Sequence, residues 1–315
     1  MFNQEIKTAF LDAATKSQGS RLAYANVFNF CEPYEEKWNA DLCTRSTEEL
    51  QSMLEQIAGA RASYRKTYYH RLVTYVKWCI AHGVDGACDS ILRVDPTISS
   101  NIGMQTVRSP AHLQSCLDQV FDPVSERTID CVYRALFWMA YSGLHEKDTV
   151  QIMSKHLDFR SMEIHFGDKV YPIYRESIPV LRVCATSKTF LYETPRYSIT
   201  RDRVEGDLIL RGFRTQPDVM KNRIMYARKI REAAAQGRNQ LQLTYARVHL
   251  SGIFYRMLER EISGVKPDFS AVVLEELEYS GHSGSNAAGY TNGMLNERKK
   301  HYQIDYNNWK RSLQL

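Results

Sequence analysis

Tyr141-Ser-Gly-Leu-His-Glu-Lys-Asp148 is the stretch from which the rest of the chain is read. It closes a run from Glu126 to about Ser142 in which Ile129, Val132, Ala135, Leu136, Phe137 and Met139 crowd more than one side of a helical wheel. A helix that is apolar nearly all round belongs at the centre of a core rather than on a surface. The turn beyond then presents an imidazole at His145 and a carboxylate at Asp148.

Downstream, Glu163-Ile-His-Phe, Gly167-Asp168 and Lys169-Val-Tyr-Pro-Ile-Tyr174 spell two short strands around a tight turn, the only good hairpin expected in the chain. Helices follow near 219 to 235, 245 to 262 and 271 to 280, and then a polar C-terminal segment. Upstream, residues 95 to 110 lose the helical period and contain Pro96 and Pro110, which marks a linker centred on 101–107. The first hundred residues read as helices. One starts at Ser20 as N-cap and carries Leu22, Ala25, Val27, Phe28 and Phe30; a second starts at Ser46-Thr-Glu-Glu49 and leads into Leu50, Met53, Leu54 and Ile57. A third has an apolar stripe (Tyr64, Tyr68, Leu72, Tyr75, Val76, Cys79) beside a basic one that includes Arg65 and Lys66, and stops near Gly83. The expectation is therefore a mainly α protein with one small β-sheet, built as a helical domain over 1–100 and a second domain over 108–315.

At 315 residues, with 43% apolar and 24% charged residues, the chain has room for two folded domains without disulfides or metals. Seven cysteines, with no C-x-x-C, point to a reducing compartment. Cys79-x-x-His82 lacks a second pair at zinc spacing, so a buried thiol and a helix-end histidine are expected and no metal. No G-x-G-x-x-G or Walker loop is present, so no nucleotide cofactor is indicated. The N-terminus has no secretory pattern and the most apolar stretch, Ala135 to Leu144, is too short to cross a bilayer, so the expected location is the cytoplasm of a bacterial host cell.

The net charge of +5 leans basic. Between Arg211 and Arg238 eight cations (Arg211, Arg214, Lys221, Arg223, Arg228, Lys229, Arg231, Arg238) face only Asp218 and Glu232, a local excess of six. Neutralising about six phosphates would give a log–log salt slope near −5, although a solvated helix face explains the same residues equally well.

Four fragments in order resemble the tyrosine recombinases, or phage integrases. Tyr141-Ser-Gly-Leu-His-Glu-Lys-Asp148 resembles the family's TGLR-x-x-E box; the Gly167-Asp-Lys169 turn resembles the hairpin that carries its catalytic lysine; Thr244-Tyr-Ala-Arg247 resembles its H-x-x-R box; and Ser280-Gly-His282 resembles the LGH before its nucleophilic tyrosine. The run Leu250 to Glu261 (LSGIFYRMLERE) is similar to the integrase-like MrpR-type lytic-cycle repressors of SP-beta-type phages. The resemblance implies a helical core-binding domain that clamps DNA, followed by a catalytic domain in which a tyrosine attacks a phosphate while two arginines hold the charge on its oxygens.

Against that pattern the site is degenerate. His145 stands where the first arginine is expected, Thr244 stands where the histidine is expected, and nine residues beyond His282 lies Thr291, with Tyr290 one residue short. The vestigial catalytic candidates are Lys169, Arg247, His282 and Tyr290, with Tyr302 and Tyr306 at later spacings. A retired site still binds, because positioning and catalysis use the same donors. The expected DNA contacts are Arg65, Lys66, Lys169, Arg211, Arg214, Arg238, Arg247 and His282. The implied function is sequence-specific binding of double-stranded DNA by a phage or prophage repressor that regulates transcription in lysogeny, with self-association on DNA left open. Two alternatives remain: an active recombinase using Tyr290 or a later tyrosine, and a helical protein-interaction module without DNA.

Overall fold

Helices set by caps and glycines dominate the computed structural model, which describes residues 2–15, 17–57, 62–97, 106–193, 197–214, 216–238, 241, 243–279 and 292–313. The chain divides into two units, one formed by Met1–Ile102 with Gly284–Leu315 and the other by Gly103–Ser283. The C-terminal residues therefore differ from the expectation, which grouped them with the second domain.

In the first unit lie α1 (Gln4–Ala14), α2 (Gln18–Trp38), α3 (Thr47–Glu55) and α4 (Ala62–Ala81). The cap of helix α2 lies three residues before the expected one, because Ser17 and not Ser20 accepts the hydrogen bond, from Ser20 N. Ser46 and Glu49 close a reciprocal capping box at the start of α3. Phe10, Phe28 and Tyr75 meet edge to face, with centroids 5.0 to 5.9 Å apart. Beside them a fully buried Lys7–Glu35 pair also receives Leu42 N, which satisfies a carboxylate that burial would otherwise penalise. Cys79 lies in this core, while the exposed His82 stacks on Trp78 at 4.1 Å.

The last helix of the chain, Asn292–Ser312, packs on α4 within the same unit. Its buried residues Tyr302, Asp305, Tyr306 and Trp309 recur at i, i+3, i+4 and i+7, so the segment expected to be polar carries a helical stripe. Asp305 meets Arg65 of α4 at 3.8 Å, and Asn308 donates to Thr97 O at 2.9 Å.

The second unit is organised around a helix over Asp130–Ser142, all of whose residues are buried. It begins four residues after the expected Glu126, since Val124–Glu126 forms a separate turn ended by Arg127 at φ 50°. Upstream of it is a helix over Pro110–Asp118, and downstream come the one-turn Glu146–Thr149, then Ile178–Thr186, Val219–Ala235, Tyr245–Ile262 and Phe269–Tyr279. In chain order these are α5 (Pro110–Asp118), α6 (Asp130–Ser142), α7 (Glu146–Thr149), α8 (Ile178–Thr186), α9 (Val219–Ala235), α10 (Tyr245–Ile262), α11 (Phe269–Tyr279) and, in the first unit, α12 (Asn292–Ser312). Strands β1 (Leu157–Asp158), β2 (Glu163–Phe166) and β3 (Lys169–Pro172) form an antiparallel sheet in sequence order, with Phe166 opposite Lys169 across the turn.

A second hairpin, β4 (Thr189–Glu193) with β5 (Ser198–Asp202), corrects the expectation of a single one. Phe190 alone is buried in β4 and β5 is largely exposed, so the two-residue alternation that marks a half-buried strand is missing. Arg203, just beyond β5, holds the base of the hairpin by donating to the carbonyls of Cys184, Ser187, Ile209 and Arg211. Burial lowers its pKa to about 10, and the guanidinium lies over Phe190 at 4.4 Å.

Candidate nucleic-acid interface

Helix α6 stops at Gly143, whose φ of 106° turns the chain so that His145 caps the single turn of α7. Helix α10 crosses α6 at this end. A Cβ at Gly252 would stand 1.9 Å from the Tyr141 carbonyl oxygen, so only glycine allows the helices to approach this closely. Arg256 fixes the crossing by donating to Tyr141 O at 2.6 Å, and its guanidinium fills the space a Cβ on Gly143 would need.

Through this crossing two of the four sequence fragments meet. The Tyr245 hydroxyl donates to Leu144 O at 2.5 Å, His249 Nε2 lies 3.1 Å from Gly143 O, and the rings of His145 and His249 are 5.0 Å apart. His145 is buried here. Tyr245, His249, Gly252 and Arg256 sit at i, i+4, i+7 and i+11, one face of a helix. That spacing is the sequence signal for the residues beside His145, whereas the resemblance singles out only Thr244 and Arg247 at the start of this helix.

Thr244 is the N-cap of α10 and accepts from Arg247 N at 3.3 Å, so the residue in the histidine position starts the helix. Arg247 lies roughly 200° round the helix from His249, on a different face from the one that meets His145. It is half-buried, and that burial depresses its pKa.

Lys169 opens β3 and pairs with Glu275 of α11 at 3.7 Å. Asp148, retained at the acidic position, has its pKa raised by burial, with Lys169 and then Lys147 pulling it back down. The hairpin lysine and the acid of the 141–148 turn are thus within electrostatic reach. His282 and Tyr290 lie outside the described residues.

The remaining cations divide. Arg65 is buried in the first unit, donating to Pro96 O and Thr97 O beside Asp305, with a pKa lowered by desolvation and supported by that carboxylate; it is a packing cation, not a surface one. Its neighbour Lys66 reaches Glu297 at 3.9 Å. Arg211 is also buried, donating to Leu208 O and Ser187 O. In the basic segment Arg223 pairs with Glu146, Lys229 with the buried Asp130 and Arg228 with Glu232. With Arg211, half of the eight cations are spoken for, and Arg214, Lys221, Arg231 and Arg238 stand exposed. Tyr302 and Tyr306 are buried in the first unit.

Residues 1–81 match the family model described as MrpR, N-terminal core-binding domain. The chain is MrpR-like over this stretch. Comparison with curated protein sequences finds no match. Among solved structures, the crystal structure of XerA recombinase aligns with 99% of this chain and 96% of its own, at 10% identity and a TM-score of 0.36. Among the described residues no cluster of histidine, cysteine and acidic side chains could hold a metal ion, and no helix is long and apolar enough to cross a membrane.

Proposed function

We propose that the chain is a sequence-specific DNA-binding protein, a phage or prophage repressor of the lytic cycle that keeps an integrase-like fold without its strand-cutting chemistry. The observation that carries this reading is the buried imidazole of His145, its ring tilted against that of His249 with centroids 5.0 Å apart, where the 141–148 turn meets α10. Phosphoryl transfer from a DNA strand needs permanently charged, two-pronged donors on the non-bridging oxygens. By analogy with arginine fingers, losing one costs roughly 10³-fold or more in rate.

Binding asks less of the site, since any correctly placed cation holds a phosphate. Lys169 and Arg247 are assigned that role, together with the exposed Arg214 and Arg238 and with His282. The MrpR-like character of residues 1–81 supports a DNA-clamping role for the first unit. Regulation of lysogeny and action in the host cytoplasm belong to the same proposal.

The test uses a nicked duplex carrying the cognate site, assayed together for affinity and, on a denaturing gel, for a covalent protein–DNA adduct. Tight, sequence-dependent binding without adduct is expected. An adduct that disappears when one tyrosine is replaced would identify a working nucleophile and make the chain a recombinase.

A further inference from the structure

The β4–β5 hairpin is closed along one edge and open along the other. Arg203 N donates to Lys188 O at 2.8 Å, so these two residues form a hydrogen-bonded pair, and the alternation of an antiparallel ladder turns the main chain of Ile199 and Arg201 toward β4. The N–H and C=O groups of Ser198, Thr200 and Asp202 therefore point the other way, along the outer edge of β5. Among the described residues no hydrogen bond reaches them, and all three residues are exposed. The open edge ends where Val204 N donates to Gly212 O at 2.8 Å. The outer edge of β4 is already in use, since Leu191 N donates to Arg127 O at 3.0 Å.

A row of unpaired main-chain groups is a template for another strand, and natural edges are usually protected by proline, lysine or a bulge. Ser198-Ile-Thr-Arg-Asp202 has none of these. Its one cation, Arg201, lies over the Tyr192 ring at 4.0 Å, which draws the charge toward β4 and away from the edge.

The sequence of β5 selects the occupant. Laid antiparallel on a second copy of itself about a twofold axis, Thr200 faces Thr200, Ser198 faces Asp202 and Ile199 faces Arg201. The outward-pointing residues of each strand then form the hydrogen-bonded pairs, so the open main-chain groups of both edges are satisfied together. The side chains agree with this register. A hydroxyl meets a carboxylate, two threonines meet on the axis, the aliphatic stem of Arg201 covers Ile199, which is 41% exposed, and no like charges stand directly opposite. A two-residue slip in one direction sets Arg201 against Arg201, and in the other it leaves Arg201 and Asp202 with no strand residue opposite. Among the described strands no other edge serves as well, since β1 has two residues and β3 ends in Pro172, which has no N–H to give.

We propose that two copies of the chain join by antiparallel pairing of their β5 strands, giving a four-stranded sheet β4-β5-β5-β4 whose twofold axis passes beside Thr200. The contact is self-complementary, so it closes at the dimer. A single strand pair is smaller than a standard protein interface, and the dimer is accordingly a weak one, populated at high protein concentration. The inference goes beyond the DNA-binding reading and does not require it.

The experiment is sedimentation equilibrium on the full chain at low salt, with the wild type, Thr200→Pro, Thr200→Lys, Thr200→Glu and an equimolar mixture of the last two. Proline removes the central outward N–H and none of the bonds to β4. Lysine or glutamate sets like charges against each other on the axis, at a position exposed enough for melting curves to stay unchanged, so these two variants decide the matter even where the proline variant fails to fold. The wild type should approach the mass of a dimer and no more. Each charged variant should weaken association by about tenfold or more, and the mixture, with lysine opposite glutamate, should recover the dimer. A wild type that stays monomeric or grows beyond a dimer overturns the proposal. So does a dimer that the lysine and glutamate variants retain, or a mixture that associates no better than either variant alone.

Discussion

At the scale of single residues, the decisive contrast is between cations that hold the fold and cations that face solvent. Arg65, Arg203 and Arg211 donate to main-chain carbonyls from buried positions. Sequence cannot separate such arginines from surface ones, because a stripe of basic residues looks the same whether or not another helix covers it. Arg247 is the residue at which the phosphate-holding role is best tested. Replacing it by alanine is expected to weaken DNA binding by about 1 to 3 kcal/mol, the range for a charge-assisted hydrogen bond. An electrophoretic titration with unchanged affinity would remove Arg247 from the interface. Tyr306→Phe belongs to the other class. The side chain is buried in the first unit, so its effect should appear as a loss of about 0.5 to 1.5 kcal/mol in stability and leave the DNA-cleavage assay unaltered.

At the scale of elements, the crossing of α6 and α10 positions the site, and Gly252 permits it. Gly252→Ala places a methyl group against the Tyr141 carbonyl, and the resulting overpacking is expected to cost about 1 to 3 kcal/mol or more in a denaturant titration. Gly19, helical and with open space around it, is the control: Gly19→Ala should be neutral or slightly stabilising. A Gly252→Ala protein as stable as wild type would mean the helices separate at no cost. The helices themselves were legible. Those expected at 219 to 235 and 245 to 262 coincide with Val219–Ala235 and Tyr245–Ile262, since caps at Asp218 and Thr244 and a clear helical period mark them. The hairpin at 163 to 172 was legible for a similar reason, with glycine at its turn. The β4–β5 ribbon was not, because it buries too little to alternate. Of the site, the 141–148 turn and the start of α10 could be named in advance, but not their junction through Tyr245 and His249, which depends on a tertiary crossing.

At the scale of the whole molecule, charge sets the affinity and connectivity sets the stability. The six-charge excess read from Arg211 to Arg238 overstates what DNA can meet, because half of its cations are engaged within the fold. Counting as phosphate contacts the exposed Arg214 and Arg238, the half-buried Arg247 and Lys169, which has to exchange Glu275 for a phosphate, the expected log–log salt slope is about −3.6, from roughly 0.9 per phosphate; a slope near zero would end the DNA-binding reading. The first unit is also discontinuous, since Gly284–Leu315 groups with Met1–Ile102. Helix α12 brings Tyr302, Tyr306 and Trp309 into burial and gives the buried Arg65 its carboxylate, Asp305. A fragment ending at residue 102 loses all of these at once. Removing one partner of a buried ion pair costs about 3 to 5 kcal/mol, and losing a buried aromatic side chain costs about as much again. Together these rival the roughly 5 to 15 kcal/mol that holds an entire domain folded. The fragment 1–102 should therefore melt without a cooperative transition by circular dichroism. The same fragment joined through a short glycine–serine linker to residues 284–315 should fold, and Asp305→Ala in that fusion should lower its midpoint. A fragment 1–102 that unfolds as cooperatively and at the same midpoint as the fusion would show that α12 lies on a unit already complete without it.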